Sequence, residues 1–216
     1  MKIQVITLFP EMFPGVINTS MLLKAQKNSI VEFRIINLRD YGLGPRRQVD
    51  DTPYGGGDGM LLKPEPIISA IEEAKANDPD AVVILPTPRG ETYKQSDAKR
   101  LAAQTSGLIL VCPRYEGYDE RIIPWIDLSF SIGNYVLTGG EIPAMVILDS
   151  VVRLLPGVLG GETSAEIESF QIDDKNIEYP QYTRPEDFKG AKVPEVLLSG
   201  HHAQIAAWRK RNSHQS

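Results

Sequence analysis

The segment LILVCPRYEGYDER, residues 108–121, joins a short apolar run directly to a turn rich in charged and aromatic side chains. The apolar run is continuous rather than alternating, as expected for a strand that is covered on both faces of a sheet. Further strands are predicted at Ile3–Leu8, Val31–Leu38, Ala81–Leu85 and Leu128–Ile132. Because helical segments separate these strands, the pattern predicts an α/β domain built on a parallel sheet.

The composition is that of a globular protein with one large domain, or one domain plus a small appendage. The chain has 216 residues, of which 42% are hydrophobic and 24% are charged. Its aliphatic runs are far shorter than the roughly 18–20 residues that cross a bilayer, and its N-terminus has no apolar signal region. The single cysteine, Cys112, excludes an internal disulfide and fits a reducing compartment. We therefore expect a cytoplasmic protein.

The overall charge argues weakly against a nucleic-acid partner. The chain carries 23 basic and 28 acidic residues, a formal net charge of −5. Nucleic-acid binding depends on where charges lie rather than on their sum, so any site for a polyanion must be local. The three histidines, His201, His202 and His214, lack the spacing of metal ligands, and no metal site is predicted from them.

A helix predicted over Glu141–Leu155 is apolar almost all round. Such a helix is buried on every side, which in a domain of this size suggests that part of it lies in a subunit interface. Its internal charged residues, Asp149 and Arg153, would each need a partner. After Pro156 the chain becomes acidic and irregular as far as Tyr182, and we interpret this stretch as a linker before a final helix.

Three loops follow predicted strands and carry unusual residues: Leu85–Gly90, Cys112–Arg121 and Ser131–Pro143. Ligands of α/β proteins bind at the carboxyl ends of the strands, so these loops could converge on one pocket. A plain turn would also account for the first loop, and a helix cap by Asp119 for part of the second. Because phosphate-binding glycine-lysine loops are absent, a pocket lined by backbone would suit a purine or nucleoside ligand.

A fourth unusual segment, Asp50–Met60, contains four glycines within residues 55–59. Glycines allow the backbone to approach a ligand closely, but a flexible surface loop explains them equally well. A nucleotide hydrolase that uses this loop as a phosphate cradle is a weak alternative, because the loop lacks the lysine that such sites use.

Taken together, the motifs closely resemble the bacterial tRNA (guanine-N1)-methyltransferase family, of the SPOUT class. The resemblance covers nearly the whole chain. It is carried by LFPEMF at 8–13, VDDTPYGGG at 49–57, RYEG at 114–117, the segment 131–143, DSVVR at 149–153, PGVLG at 156–160 and YTRP at 182–185.

The resemblance implies a homodimer with a deep trefoil knot and an active site at the subunit interface. Residues 1–160 would form the knotted domain that binds S-adenosylmethionine, residues 161–182 a flexible linker, and residues 183–216 a small, shortened and mainly helical tRNA-binding domain. The cofactor would be held by Leu85, Pro86, Thr87, Pro88, Pro113, Tyr115, Glu116, Ile132, Gly133, Asn134, Tyr135, Val136, Leu137, Gly139, Gly140 and Pro143. The tRNA would contact Asp50, Gly57, Gly59 and Arg184.

The implied reaction is methylation of N1 of the guanosine 3′ of the anticodon, which supports reading-frame maintenance. Arg153 corresponds to the arginine that stabilises charge developing on the base. Glu168 stands where relatives have an aspartate that acts as general base. A magnesium ion is expected to assist, although the sequence shows no dedicated site for it.

The chain departs from the family pattern at Glu168, at Pro113, at Asn134 and at Asp58. Glutamate places its carboxylate one methylene further out, and proline removes a backbone N–H beside the cofactor. The alternative function is therefore a tRNA- and S-adenosylmethionine-binding homologue with impaired catalysis.

Overall fold

The computed structural model describes residues 1–103, 107–159, 169–170 and 176–215. The chain divides into two compact units, Met1–Gly160 and Gly161–Ser216. None of the helices within the described ranges is long and apolar enough to cross a membrane.

The first unit is built on a parallel sheet, as the sequence predicts. Its strands are β1 (Lys2–Thr7), β2 (Glu32–Asn37), β3 (Asp50–Asp51), β4 (Leu61–Leu62), β5 (Val82–Thr92), β6 (Leu108–Val111) and β7 (Leu128–Ser131). The main sheet has the order β2-β1-β6-β5-β7, and every neighbouring pair in it is parallel. Strands β3 and β4 form a separate antiparallel pair.

Helices cover both faces of this sheet. They are α1 (Pro14–Ile17), α2 (Ser20–Lys27), α3 (Pro64–Asn77), α4 (Gln95–Ala102) and α5 (Glu141–Val152), with 3-10 turns at Pro10–Met12, Leu38–Tyr41 and Glu120–Trp125. In β6, Leu108 and Leu110 pack in one hydrophobic cluster with α5, whereas Ile109 and Val111 pack in another with α3. Burial on both faces explains why the strand is continuously apolar.

Strand β5 is longer than the sequence indicates. It was expected to end at Leu85, but it pairs with β7 as far as Thr92, with an irregularity between Pro86 and Glu91. A Cβ at Gly90 would lie 2.5 Å from the backbone nitrogen of Phe130, so only glycine permits this close approach to β7. The first predicted loop is therefore a bulge within a strand, not a turn after it.

Helix α5 also differs from its prediction. It ends at Val152, and Asp149 is exposed, so solvent takes the place of the buried partner that we expected for this residue. Its apolar side chains Ile142 and Val146 are 47% and 41% exposed. The helix is therefore buried on one side within its own chain and presents apolar surface on the other.

The second unit contains short elements. They are β8 (Asn176–Ile177), β9 (Asp187–Phe188), β10 (Ala191–Lys192), α6 (Glu195–Leu198), α7 (His202–Asn212) and β11 (His214–Gln215). Strand β9 pairs with β10, and β8 with β11, in both cases antiparallel. The Trp208 ring makes edge contacts with Tyr179 and Tyr182, at centroid distances of 6.3 and 6.2 Å. These aromatic contacts join α7 to residues 179–182 of the same unit.

Candidate functional site

A cavity of about 730 Å³ lies at the carboxyl edge of β5, β6 and β7. Three segments form its walls: the β5 bulge at 86–89, the segment 113–118 after β6, and the segment 130–143 from the end of β7 to the start of α5. Because β5 lies between β6 and β7 in the sheet, the three segments meet at one edge. The volume falls in the usual range for small-molecule sites.

The cavity brings together the predicted cofactor residues except Leu85 and Asn134. Those that line it are Pro86, Thr87, Pro88, Pro113, Tyr115, Glu116, Ile132, Gly133, Tyr135, Val136, Leu137, Gly139, Gly140 and Pro143. Leu85 is fully buried in the core beneath the cavity, and Asn134 is exposed outside it.

Charged and polar residues that the sequence analysis did not select also line the cavity. Arg89 donates to a carboxylate oxygen of Glu120 at 3.1 Å, and the Tyr118 hydroxyl donates to Thr87 Oγ1 at 3.4 Å. Both contacts tie the β5 bulge to the segment after β6. Arg89, Tyr118 and Glu120 lie within the predicted loops 85–90 and 112–121, and this position is the signal in the sequence that could have identified them.

The turn after β6 has a strained backbone. Gly117 donates its N–H to the carbonyl of Arg114 at 3.1 Å, and Tyr115 between them has a φ of 61°. A non-glycine residue in this left-handed region costs about 1–3 kcal/mol and persists only where the surroundings enforce it. The turn directs Tyr115 and Glu116 to the cavity.

The walls formed by 113–118 and 132–140 touch through their backbones. Gly140 donates its N–H to the carbonyl of Pro113 at 2.8 Å, and a Cβ at Gly140 would lie 2.8 Å from the Cα of Cys112. The carbonyl of Pro113 thus already accepts one hydrogen bond within the protein. Burial, with the nearby negative charge of Glu141, raises the pKa of the Cys112 thiol well above its ordinary value.

Arg153, the predicted stabiliser of charge on the base, does not line this cavity. Arg153 directly follows α5, whereas Pro143, near the start of the same helix, lines the cavity. Arg153 lies ten positions after Pro143, which corresponds to about 15 Å along the helix axis. Glu168 lies outside the described residues.

The predicted tRNA-binding residues lie in both units. Asp50 is half-buried in β3, and Gly57 and Gly59 lie in the exposed loop between β3 and β4. A Cβ at Gly59 would lie 2.5 Å from Cγ of Glu116, so the glycine loop packs directly against a cavity wall. Arg184 is exposed in the second unit.

A metal centre built from protein side chains is not found in the described part of the chain. There, no group of three or more His, Cys, Asp or Glu residues is placed to hold an ion. The expected assistance by magnesium gains no support from these residues.

The chain is similar to known methyltransferases over its whole length. The family model described as tRNA (Guanine-1)-methyltransferase TrmD matches residues 1–216. Proteins named tRNA (guanine-N(1)-)-methyltransferase from Halalkalibacterium halodurans and Geobacillus kaustophilus are 55% and 53% identical to it, each over 99% of this chain and 86% of the relative.

A solved structure gives the same result. The crystal structure of tRNA (m1G37) methyltransferase from Aquifex aeolicus matches with a TM-score of 0.81 and 38% identity, over 96% of this chain and 87% of that one. The family model, the sequence identity and the structural match agree, and the chain belongs to the tRNA (guanine-N1)-methyltransferase family.

Proposed function

We propose that this chain transfers a methyl group from S-adenosylmethionine to N1 of guanosine 37, the nucleotide 3′ of the anticodon, in tRNA. The cavity at the edge of β5, β6 and β7 is the observation that carries the proposal. Its walls offer backbone groups and apolar side chains, together with the Glu116 carboxylate and the Thr87 hydroxyl. This set suits a nucleoside that bears a cationic amino acid and no phosphate.

The chemistry requires a base and a stabiliser of negative charge. S-adenosylmethionine supplies a methyl group activated by its sulfonium sulfur. Guanine N1 carries a proton, which we assign to the carboxylate of Glu168 as general base. Charge that spreads to O6 is stabilised by the guanidinium of Arg153. The N1–CH₃ bond forms as the S–CH₃ bond breaks, and much of the rate comes from holding the two reactants in line.

The distance between Arg153 and the cavity supports a shared site in a homodimer. One chain places these two features at opposite ends of α5, so a second copy would supply the arginine for each cavity. Exposed apolar side chains at Val136, Ile142 and Val146 provide a surface for that copy. The trefoil knot belongs to the same proposal and is supported by the segment after β7, which returns across the sheet edge to contact Pro113.

The tRNA would be held by both units. The glycine loop with Asp50, Gly57 and Gly59 lies beside the cavity wall, where it would contact the anticodon. Residues 183–216, with Arg184, would form the small tRNA-binding domain, and residues 161–182 the linker that precedes it. The modified tRNA would support maintenance of the reading frame in the cytoplasm.

Methyl transfer to defined tRNAs tests this function. The purified protein is mixed with methyl-labelled S-adenosylmethionine and an unmodified tRNA that carries guanosine at position 37, and a tRNA with adenosine there is the control. Label in the first tRNA alone supports the proposal. Cofactor binding without transfer to either tRNA would instead favour the catalytically impaired homologue that Glu168 and Pro113 suggest.

Variants of the two proposed catalytic residues test the mechanism. Arg153→Ala should abolish turnover while cofactor binding persists, because the arginine acts on the base and not on the cofactor. Glu168→Gln should lower the single-turnover rate, whereas Glu168→Asp should preserve or raise it. Unchanged rates in both Glu168 variants would exclude this residue as the base.

A further inference from the structure

Glu141 begins α5 with a carboxylate that is only 1% exposed. It accepts a hydrogen bond from Thr7 Oγ1 at 2.7 Å, and its other oxygen lies 2.7 Å from Nε of Arg114. A buried carboxylate is costly unless it is paired, so this arrangement needs both partners. Glu141 does not line the cavity, and the proposed reaction gives it no role.

Arg114 connects three separate segments of the chain. Its guanidinium donates to the carbonyl of Thr138 at 3.2 Å and to the sulfur of Met12 at 3.1 Å, and it stacks on the ring of Phe9 at 4.3 Å. Phe9 and Met12 belong to the LFPEMF motif, which the proposed function leaves without a role. In the structure this motif holds the Arg114 side chain in place, because Phe9 and Met12 both contact the guanidinium.

The ion pair is held by its surroundings more than by a directed hydrogen bond. Nε of Arg114 and Oε2 of Glu141 are both buried, and neither has an aligned hydrogen-bond partner among the described residues. The backbone of Gly139 lies against both side chains. A Cβ there would lie 2.5 Å from Cδ of Arg114 and 2.7 Å from Oε2 of Glu141. The side chains of Arg114 and Glu141 therefore pack against the Gly139 backbone and leave no room for a side chain at residue 139.

The two charged residues are each continuous with one wall of the cavity. Arg114 itself lines the cavity, next to the left-handed Tyr115, whereas Glu141 lies outside the cavity and follows Gly140, which lines the opposite wall. We infer that Arg114 and Glu141 form a positioning pair that fixes the spacing between segments 113–118 and 132–140, and thereby sets the affinity for the cofactor. This inference rests on the proposed function, since it requires that the cavity binds S-adenosylmethionine.

Equilibrium binding of labelled S-adenosylmethionine, with Tm measured in parallel, tests the pair. Glu141→Gln and Arg114→Met each leave one charge buried without its partner, so both should lower Tm and raise the cofactor Kd about tenfold or more. The double variant leaves no unpaired charge, and its Tm should recover. Its Kd should stay high, because the link between the walls is still missing.

The double variant separates positioning from a purely structural role. Recovery of both Tm and Kd would overturn the inference, because a structural pair affects binding only through folding. Arg114→Lys gives a second test, since it keeps both charges but cannot contact Glu141, Thr138 and Met12 together. Its Tm should stay near that of the wild type while its Kd rises several-fold. A wild-type Kd in Arg114→Lys would also overturn the inference.

A matched control comes from Glu73 on α3, which likewise pairs with an arginine and a hydroxyl, at an exposed position. Glu73→Gln should bind the cofactor like the wild type. Failure of the wild-type protein itself to bind S-adenosylmethionine would refute the proposed function. Wild-type binding with unaffected variants would refute only the positioning pair.

Discussion

Two clusters in the first unit use the same functional groups in different surroundings. Glu141 pairs with Arg114 and the Thr7 hydroxyl beside the cavity, and its side chain is 1% exposed. Glu73 pairs with Arg34 and the Tyr41 hydroxyl on α3, and its side chain is 49% exposed. Water can reach the carboxylate of Glu73 and replace its partners, whereas the carboxylate of Glu141 is closed off from water. We therefore expect burial, more than the identity of the groups, to decide what each ion pair contributes to stability.

Neutralising each glutamate should give the largest contrast. Glu141→Gln leaves the guanidinium of Arg114 buried without its countercharge, and we expect the free energy of unfolding to fall by about 3–5 kcal/mol. Glu73→Gln should cost less than about 1 kcal/mol, because its pair is solvated. Urea unfolding of both variants measures the difference. Equal losses would contradict the contrast between the clusters.

A methyl group at Gly139 should disturb the buried cluster alone. Gly139→Ala forces Arg114 and Glu141 apart, and overpacking of this kind costs about 1–3 kcal/mol. Gly15→Ala is the matched control, because a Cβ there meets nothing within 4 Å. Thermal unfolding and cofactor binding of both variants test this prediction. A Gly139→Ala protein with wild-type Tm and Kd would show that the backbone around residue 139 can shift without loss of stability or cofactor affinity.

Alkaline pH should weaken the exposed cluster and leave the buried one unaffected. Burial and the hydrogen bond to Glu73 raise the pKa of Tyr41, in the exposed cluster, from 10.0 to about 12. Tyr93 lies outside both clusters, and burial raises its pKa from 10.0 to about 12 as well. Such a group stabilises the fold fully below pH 10, and this contribution is lost as the pH rises through 12.

Unfolding free energies measured between pH 10 and 12 should therefore fall in the wild type. The decline should be shallower in Tyr41→Phe and in Tyr93→Phe, since each variant lacks one of the titrating phenols. Neither phenol belongs to the buried cluster around Glu141, so Glu141→Gln should decline in parallel with the wild type. A shallower decline in Glu141→Gln would link the buried cluster to the phenols.

Labelling of Cys112 gives a chemical readout of the same contrast. Burial raises the pKa of this thiol, so the native protein should react very slowly with iodoacetamide at pH 8. Glu141→Gln should label faster, because the protein opens more often when it is less stable. Glu73→Gln should label at the wild-type rate. The chain has one cysteine, so total incorporation by mass spectrometry reports this site directly.

The parallel sheet could be predicted because its strands carry apolar residues on both faces, as in Leu108–Val111. The extension of β5 could not, because Pro86, Pro88 and Gly90 normally end strands. In this chain they form a bulge that pairs again with β7. Local composition indicates where a strand begins, whereas its pairing beyond a bulge depends on a neighbour distant in sequence.

The cavity walls were largely predictable, since their residues come after three apolar segments that are neighbours in the sheet. The buried charge was not. An acidic residue in the first turn of a helix is ordinary, because it favours the helix dipole, so Glu141 attracted no attention in the sequence. The sequence instead drew attention to Asp149, which is exposed. Identifying the pair requires the sheet order, because Arg114 and Glu141 meet only when the segment after β7 returns towards β6.

The hydrogen bond between Thr7 and Glu141 joins residues 134 positions apart, at the two ends of the first unit. During synthesis, β1 must therefore wait until α5 has left the ribosome before this contact can form. Contacts between such distant residues form slowly, because the loop must close before it gains any stabilisation. The chain can pair β1 with β2 early, but the cavity becomes complete only when nearly the whole unit has been translated. The ligand site should thus be the last part of the unit to mature on the ribosome.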